Sequence, residues 1–200
     1  MDYRAPLQAV IPGARGRVLA VLTGTDEELS LSVLGRLSHV SVNQIPRVVD
    51  DLAALGIVTT RRVPPTTLIS LERRSLATGL LMRLSRLDEA AFFRLAELAT
   101  ELRPAPRSVV AFGSFASGSA GPDSDIDIAI VHSEAELATD EWAASVAAFV
   151  DDGSAALGNV ISIAELTLED IDDGALDTDF WAGVRETQLC LFGSPIGESL

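Results

Sequence analysis

Two carboxylates stand two residues apart at the start of an apolar run. Asp125 and Asp127 alternate with Ile126, Ile128 and Ile130, which is typical of a β-strand. Because strand side chains alternate between faces, both acids project from one face and the isoleucines from the other. Neighbouring acids repel each other, and a hard divalent cation such as Mg²⁺ holds such a pair through oxygen ligands. The spacing therefore predicts a metal site.

A small-residue turn precedes these carboxylates. Gly113 and Ser114 directly follow the apolar run 109–112. A Gly-Ser turn that opens a short helix exposes backbone N–H groups, and such groups hold phosphate oxygens. A metal site beside a phosphate site predicts a nucleoside triphosphate as the ligand. The alternative is a surface turn at 121–124 that leads into an edge strand whose acids face solvent.

The run 109–131 resembles the signature of the DNA polymerase β-like nucleotidyltransferase superfamily: Gly-Ser, a short spacer, and Ser-Asp-hydrophobic-Asp before an apolar strand. The matching residues are Gly113, Ser114, Ser124, Asp125 and Asp127. The resemblance implies that Gly113 and Ser114 hold the β- and γ-phosphates and that the two aspartates ligate two Mg²⁺ ions. These ions would activate an attacking hydroxyl and stabilise the leaving pyrophosphate. Ser124 is grouped with the nucleotide-binding residues and would fix the start of the strand by hydrogen bonding.

The family's third carboxylate lies on a later, neighbouring strand, and Glu165 is the best candidate for it. Glu165 lies in the apolar run 159–166, where it shares a face with Ile161 and Ile163 by alternation. It would be the third metal ligand, or the base that takes a proton from the acceptor hydroxyl. The alternative is an acid at the end of a strand. Asp151 and Asp152 are poorer candidates, because they are expected in a loop.

One position departs from the family pattern. Many relatives carry Arg directly before the second glycine of the motif, where this chain has Ser117. The missing guanidinium removes a cation from the path of the triphosphate, and such arginines contribute strongly to phosphoryl transfer. Weak or absent catalysis is therefore an open alternative.

The composition indicates a cytoplasmic protein with no membrane partner. Hydrophobic residues make up 48% of the 200 residues, which is enough for real cores. The single cysteine, Cys190, excludes an internal disulfide and fits a reducing compartment. We find no amino-terminal signal pattern and no apolar segment near the ~20 residues that span a bilayer.

The net charge of −14 is distributed unevenly. Residues 1–90 carry 11 Arg against 9 Asp and Glu, a net charge of +2. Residues 91–200 carry 4 Arg against 20 Asp and Glu, a net charge of −16. Halves that differ so much electrostatically favour two domains, and the near-neutral first half is compatible with nucleic acid.

The first half has the pattern of a winged helix-turn-helix, which consists of three helices followed by a β-hairpin. Helices are predicted over 14–22, 29–37 and 41–55, and hairpin strands over 57–63 and 66–71. Ser41 and Gln44 match a capping box at the start of the third helix. Pro46 is awkward there, because it removes a backbone donor about one turn into the helix.

Residues 37–58 resemble the recognition helix and its exit in bacterial winged-helix regulators. The resemblance implies a DNA-binding set of Ser41, Asn43, Gln44 and Arg47 in the major groove, with Arg61 and Arg62 of the hairpin at phosphates. The alternative is a winged helix that serves dimerisation or holds another protein.

The predicted fold is therefore an α+β two-domain protein. A winged helix at 1–74 is followed by connecting helices at 75–104, which break near 86–88 and supply a possible homodimer interface. A mixed sheet flanked by helices, the nucleotidyltransferase-like domain, occupies 105–200. Within it, helices are expected over 136–150 and 177–187, another helix from 168, and strands over 159–166 and 189–192.

Three functions remain open from the sequence. The first is a Mg²⁺-dependent nucleotidyltransferase that moves a nucleoside monophosphate from a triphosphate to an unknown hydroxyl acceptor, with a protein partner or a second copy completing the acceptor site. The second is a transcriptional regulator whose nucleotidyltransferase fold only senses nucleotide or is inactive. The third is one component of a toxin–antitoxin pair.

Overall fold

A computed structural model describes residues 1–132, 139–172 and 179–197. The chain divides into two compact units. One unit is Ala5–Leu87, and the other combines Met1–Arg4 with Asp88–Leu200. The division falls inside the predicted connecting segment 75–104. Among the described residues, no helix combines the length and the apolar character needed to cross a membrane.

The unit Ala5–Leu87 combines helices with a small antiparallel sheet. Its elements are α1 (Pro6–Val10), α2 (Ala14–Thr23), β1 (Leu29–Ser30), α3 (Leu31–Leu37), α4 (Ile45–Ala54), β2 (Val58–Val63), β3 (Thr66–Leu71) and α5 (Leu76–Leu84). The sheet order is β1-β3-β2, with both pairs antiparallel. The sequence pattern did not predict α1 or the short strand β1.

Helix α4 begins later than the sequence pattern predicts. It starts at Ile45, so Pro46 lies in the first turn, where its missing N–H has no intrahelical acceptor to lose. The predicted capping box does not form, because the Ser41 hydroxyl donates to the Gln44 side chain (3.2 Å) and Gln44 is the N-cap. The buried face of α4 joins the core of this unit through Ile45, Val48, Val49 and Leu52.

The other unit is built around a four-stranded mixed sheet. Its elements are α6 (Leu87–Glu101), β4 (Ser108–Phe112), α7 (Gly113–Ala116), β5 (Ile126–His132), α8 (Asp140–Leu157), β6 (Ile161–Thr167), α9 (Leu168–Asp172), α10 (Asp179–Thr187) and β7 (Leu189–Gly193). The strand order is β6-β5-β4-β7, in which only the β5–β6 pair is parallel. With its helices and two sheets the chain is a mixed α+β protein.

The two faces of this sheet carry different layers. Helix α8 covers the face of Ile126, Ile128 and Ile130: a Cβ on its Gly153 would lie 2.3 Å from the Ile161 side chain. The buried face of α8 continues through Gly153 and Leu157, so Asp151 and Asp152, which were expected in a loop, lie exposed within the helix. Helices α9 and α10 cover the opposite face, which carries Ala129 and Val131, and bury Trp181 and Val184 against it.

Candidate functional site

Strand β4 ends in a sharp corner that only glycine fits. Gly113 has φ +67°, a left-handed conformation that side chains disfavour. A Cβ at this position would lie 2.7 Å from Oδ2 of Asp127, so the corner and the carboxylate are in direct contact. Helix α7 starts at this corner, and its first backbone N–H groups lack intrahelical acceptors.

Serine side chains hold the loop that follows the corner. The backbone carbonyl of Ser114 accepts hydrogen bonds from the Ser117 hydroxyl (3.2 Å) and from the Ser119 backbone N–H (2.8 Å). The Ser117 and Ser119 hydroxyls also lie 2.9 Å apart. At the position where the family pattern has Arg, Ser117 therefore ties the loop to the corner and brings no positive charge.

The two aspartates lie together beside this corner. Asp125 is exposed, directly before β5 begins, and Asp127 is partly buried within the strand. Ser162 on β6 is in register with Asp127 and donates a hydrogen bond to Oδ2 of Asp125 (3.4 Å). Burial raises the pKa of Asp127, and the neighbouring Asp125 charge raises it further. The result is a patch of oxygen ligands with a charge repulsion that a cation would relieve.

A buried asparagine, not singled out from the sequence, fixes the loop before Asp125. The side chain of Asn159 is only 7% exposed, and its Nδ2 donates to the carbonyls of Ser124 (2.9 Å) and Gly121 (3.3 Å). Ser124 also accepts a hydrogen bond from the Gly121 N–H through its hydroxyl (3.0 Å). Ser124 thus lies two residues before β5 and is held there by hydrogen bonds from Asn159 and from the Gly121 N–H. Buried amides satisfied in this way hold a loop in one conformation.

The first four residues of the chain belong to the same unit. The Tyr3 hydroxyl donates to the carbonyl of Leu157 (2.8 Å), and its ring packs edge-to-face on Phe115 of α7, with the ring centroids 5.4 Å apart. Burial raises the pKa of Tyr3 to about 12. Residues far away in sequence therefore support the helix that starts at the glycine corner.

Glu165 does not join the two aspartates, which corrects the prediction that it completes their set of ligands. In the parallel β5–β6 pair Glu165 is opposite Ile130, on the face covered by α8. Its carboxylate accepts a hydrogen bond from the Trp142 indole (2.8 Å) and lies 3.9 Å from the His132 ring. The β6 residues on the face of Asp127 are Ser162 and Ala164. Across the described ranges, no three His, Cys, Asp or Glu residues form a group suited to a metal ion.

The raised pKa of Asp127 predicts a pH-dependent effect on stability. A carboxyl whose pKa is higher in the folded than in the unfolded protein favours folding when protonated, and this contribution is lost as the pH rises through the folded pKa. We therefore expect Asp127→Asn to raise Tm at pH 7 without divalent cations, and to change it little below pH 3.8, the ordinary value of the carboxyl. Thermal unfolding followed by circular dichroism measures this.

The exposed Asp123 of the same loop provides the control for that measurement. Asp123→Asn removes an equal charge without touching Gly113 or the carboxylate pair. An equal rise of Tm in both variants would attribute the effect to the overall negative charge of the unit.

The predicted DNA-binding residues are all exposed in the other unit. They are Ser41, Asn43 and Gln44 before α4, Arg47 in its first turn, and Arg61 and Arg62 on β2. Arg61 forms an ion pair with Glu28, which lowers the pKa of Glu28. Arg62 points to the other face of β2 by alternation and has no ion pair within this unit, all of whose residues are described.

The charge of this unit is positive. Residues 5–87 hold 10 Arg against 6 Asp and Glu, a net charge of +4. Four arginines are paired with acids: Arg15 with Asp51, Arg61 with Glu28, Arg73 with Asp26, and Arg74 with Glu72. The exposed guanidinium groups outside these pairs include that of Arg47.

Comparison with known proteins gives one family match. Residues 94–171 match the model of a nucleotidyltransferase domain, a segment that contains the glycine corner and both aspartates. This match supports a nucleotidyl transfer function for the unit. No curated protein matches the chain.

A search of solved structures gives a weak likeness to TrmBL2, described as an archaeal chromatin protein whose structure shows a novel mode of DNA binding. The two chains are 14% identical over 86% of this chain and 69% of that one, with a TM-score of 0.29. A score this low carries no argument about fold or function.

Proposed function

We propose that this protein binds a Mg²⁺–nucleoside triphosphate at Gly113, Ser114, Asp125 and Asp127 and transfers the nucleoside monophosphate to a hydroxyl acceptor. The observation that carries the proposal is the contact between the Asp127 carboxylate and the Gly113 corner. This contact supports the proposal, because two carboxylates that would hold Mg²⁺ then lie beside the start of α7, whose first backbone N–H groups have no acceptor within the helix and would hold phosphate oxygens.

The residues at this corner suit a hard cation. Two carboxylates and the Ser162 hydroxyl offer oxygen ligands. Burial and, to a smaller extent, the Asp125 charge raise the pKa of Asp127, and a bound cation would favour its charged form. A bound Mg²⁺ supplies charge stabilisation to the phosphoryl group. In the transfer, the acceptor oxygen bonds to the α-phosphorus, the bond to pyrophosphate breaks, and the hydroxyl proton passes to solvent. The chain's residues bind and orient the phosphates by backbone N–H groups and hold the loop by Asn159.

Titration of the full chain with each of the four nucleoside triphosphates tests this proposal. With Mg²⁺ present, calorimetry is expected to show binding of at least one triphosphate, and binding is lost when EDTA is added. Incubation with the α-labelled nucleotide and total cellular RNA or protein is expected to label one acceptor and release pyrophosphate. Absence of binding for all four nucleotides, with Mg²⁺ and with Mn²⁺, would rule out the site.

A nucleotide sensor is the second candidate function, and the Ser162 position favours it. No carboxylate of β6 shares the face of the two aspartates, and Ser117 itself brings no positive charge to the loop after the corner. Such a site binds a metal–nucleotide complex but lacks a built-in base for the acceptor hydroxyl. Tight binding of nucleotide without transfer to any acceptor distinguishes the sensor from the enzyme.

We further propose that residues 5–74 form a winged helix that binds DNA. From α2 onward the order helix, strand, helix, helix, strand, strand and the sheet order β1-β3-β2 support this, together with the net charge of +4 over residues 5–87. The exposed turn before α4 offers Asn43 and Gln44 to base edges, and Arg47 follows on the first turn.

A homodimer would suit a two-fold operator, and the exposed Leu76 and Leu80 of α5 are its proposed contact.

The arginines of this unit are expected to differ in their effects on DNA affinity. Arg47→Ala and Arg62→Ala each remove an unpaired exposed charge, so each should weaken binding and lower the slope of log affinity against log salt by about 1. Arg61→Ala should change the slope less, because Glu28 already neutralises Arg61. Fluorescence anisotropy of the full chain with duplexes from its own upstream DNA, over a series of NaCl concentrations, measures these slopes.

Arg74→Ala serves as the control, because Arg74 is exposed and is paired with Glu72. Equal losses in all four variants would indicate a general charge effect. If no upstream duplex gives salt-sensitive binding, the DNA-binding proposal is wrong.

A further inference from the structure

One aromatic side chain near the Gly113 corner is half-exposed. Phe180, at the start of α10, is 51% exposed, whereas Trp181 and Val184 of the same helix are buried. The Phe180 ring packs edge-to-face on Phe112, with centroids 5.6 Å apart, and on Trp181, with centroids 5.0 Å apart. The ring is thus held by two neighbours while much of its surface stays open to solvent.

A short chain of contacts joins this ring to the proposed nucleotide site. Phe112 is the last residue of β4 and is in register with Asp127, so the two side chains share a face of the sheet. Asp127 in turn touches Gly113. Helix α10 also packs against α7, the helix that starts at Gly113. Phe180 is therefore one aromatic ring away from the corner where the phosphates would bind.

The packing of α10 gives no reason for an exposed ring at this place. Trp181 and Val184 already anchor the helix in the core with Val110 and Ala129. An exposed aromatic surface, held rigid by other rings, is what a flat aromatic ligand requires. Nucleobases stack on such surfaces with little preference for sequence, since every base has a π-face.

We propose that Phe180, supported by Phe112, is the stacking surface for the nucleobase of the triphosphate held at Gly113, Asp125 and Asp127. This inference rests on the proposed function and adds the part of the ligand that the phosphate corner does not contact. It identifies the ligand as a nucleotide with an intact base, in contrast to a polyphosphate.

Comparing ATP with inorganic tripolyphosphate, both with Mg²⁺, separates the base from the phosphates. In calorimetric titrations of the full chain, Phe180→Ala is expected to weaken ATP binding by about fivefold to a hundredfold. Tripolyphosphate binding should stay unchanged, because its contacts lie at the Gly113 corner. Phe180→Tyr keeps the π-face and should keep ATP affinity, while Phe180→Leu keeps apolar bulk and should lose it.

Phe93→Ala is the matched control, because Phe93 is an exposed phenylalanine of the same unit on α6. It should leave the affinity for both ligands unchanged. If Phe180→Ala and Phe180→Leu weaken both ligands equally, or neither, the stacking role is overturned while the phosphate site stands. If the unsubstituted protein binds neither ATP nor tripolyphosphate, the proposed function itself fails. If the Phe180 variants have the same Tm as Phe93→Ala, a loss of ATP affinity in them does not come from unfolding.

Discussion

Replacing both Asp125 and Asp127 by Asn is expected to abolish Mg²⁺-dependent nucleotide binding and to lower any transfer rate by at least about a thousandfold. Asn keeps the shape of the side chain but removes two negative charges from one patch. The neutral amides bind Mg²⁺ far more weakly than carboxylates do, so the phosphates lose the cation that joins them to the protein. Calorimetry with Mg²⁺–ATP and label transfer from the α-phosphate measure the two effects.

The two single variants should differ in how much they weaken nucleotide binding. Asp127→Asn is expected to have the larger effect, because Asp127 contacts the Gly113 corner, whereas Asp125 is exposed and held by Ser162. Asp123→Asn removes an exposed charge from the same loop and should leave nucleotide binding intact. Unchanged binding in the double variant would show that the nucleotide, if bound at all, does not use this pair.

Ser162→Asp is expected to raise the affinity of the site for Mg²⁺. The new carboxylate would lie in register with Asp127 and beside Asp125, which makes a group of three acids on one face of the sheet. We expect Mg²⁺ affinity to rise by about tenfold or more, since ligand charge sets the affinity of such sites. If the lack of a base limits transfer, the rate should rise by about a hundredfold. Without Mg²⁺ the same change should lower Tm, because three like charges then face one another.

The Tm measured with and without Mg²⁺ tests whether Ser162→Asp raises the affinity for Mg²⁺. The increase in Tm on adding Mg²⁺ should be larger for Ser162→Asp than for the unsubstituted protein, because at a given concentration a ligand that binds more tightly stabilises the folded state more. Ser162→Asn matches the new side chain in size without the charge and should show no such increase. A Mg²⁺ response of Ser162→Asp no larger than that of Ser162→Asn would mean that position 162 does not face the metal.

Much of the local structure was predictable, because it depends on neighbours in sequence. The alternation of Ile126, Ile128 and Ile130 predicted strand β5 and the common face of its two acids. For the connecting segment 75–104 the sequence predicted helices with a break near 86–88, and the structure has this break at residues 85–86. The predicted start of α4 was wrong, because two local signals disagree. Ser41 and Gln44 match a capping box that would start the helix after Ser41, whereas Pro46 prefers the first turn of a helix, and the helix starts at Ile45.

The third carboxylate shows where sequence reasoning stops. Alternation correctly put Glu165 on one face with Ile161 and Ile163, but it says nothing about which face of β5 that is. The parallel register decides this: it aligns Ser162 with Asp127 and turns Glu165 toward Trp142. A shift of one residue would reverse the assignment.

The sequence by itself determined most of the longer elements, the charge difference between the halves, and a Gly-Ser turn followed by two acids on one strand face. These features follow from backbone periodicity and composition, which act over a few residues. Only the tertiary structure decided that Asp127 touches Gly113, that Asn159 holds the loop, and that Phe180 lies next to Phe112. Each of these contacts joins residues 14 or more positions apart, and packing between strands and helices, which no local pattern encodes, brings them together.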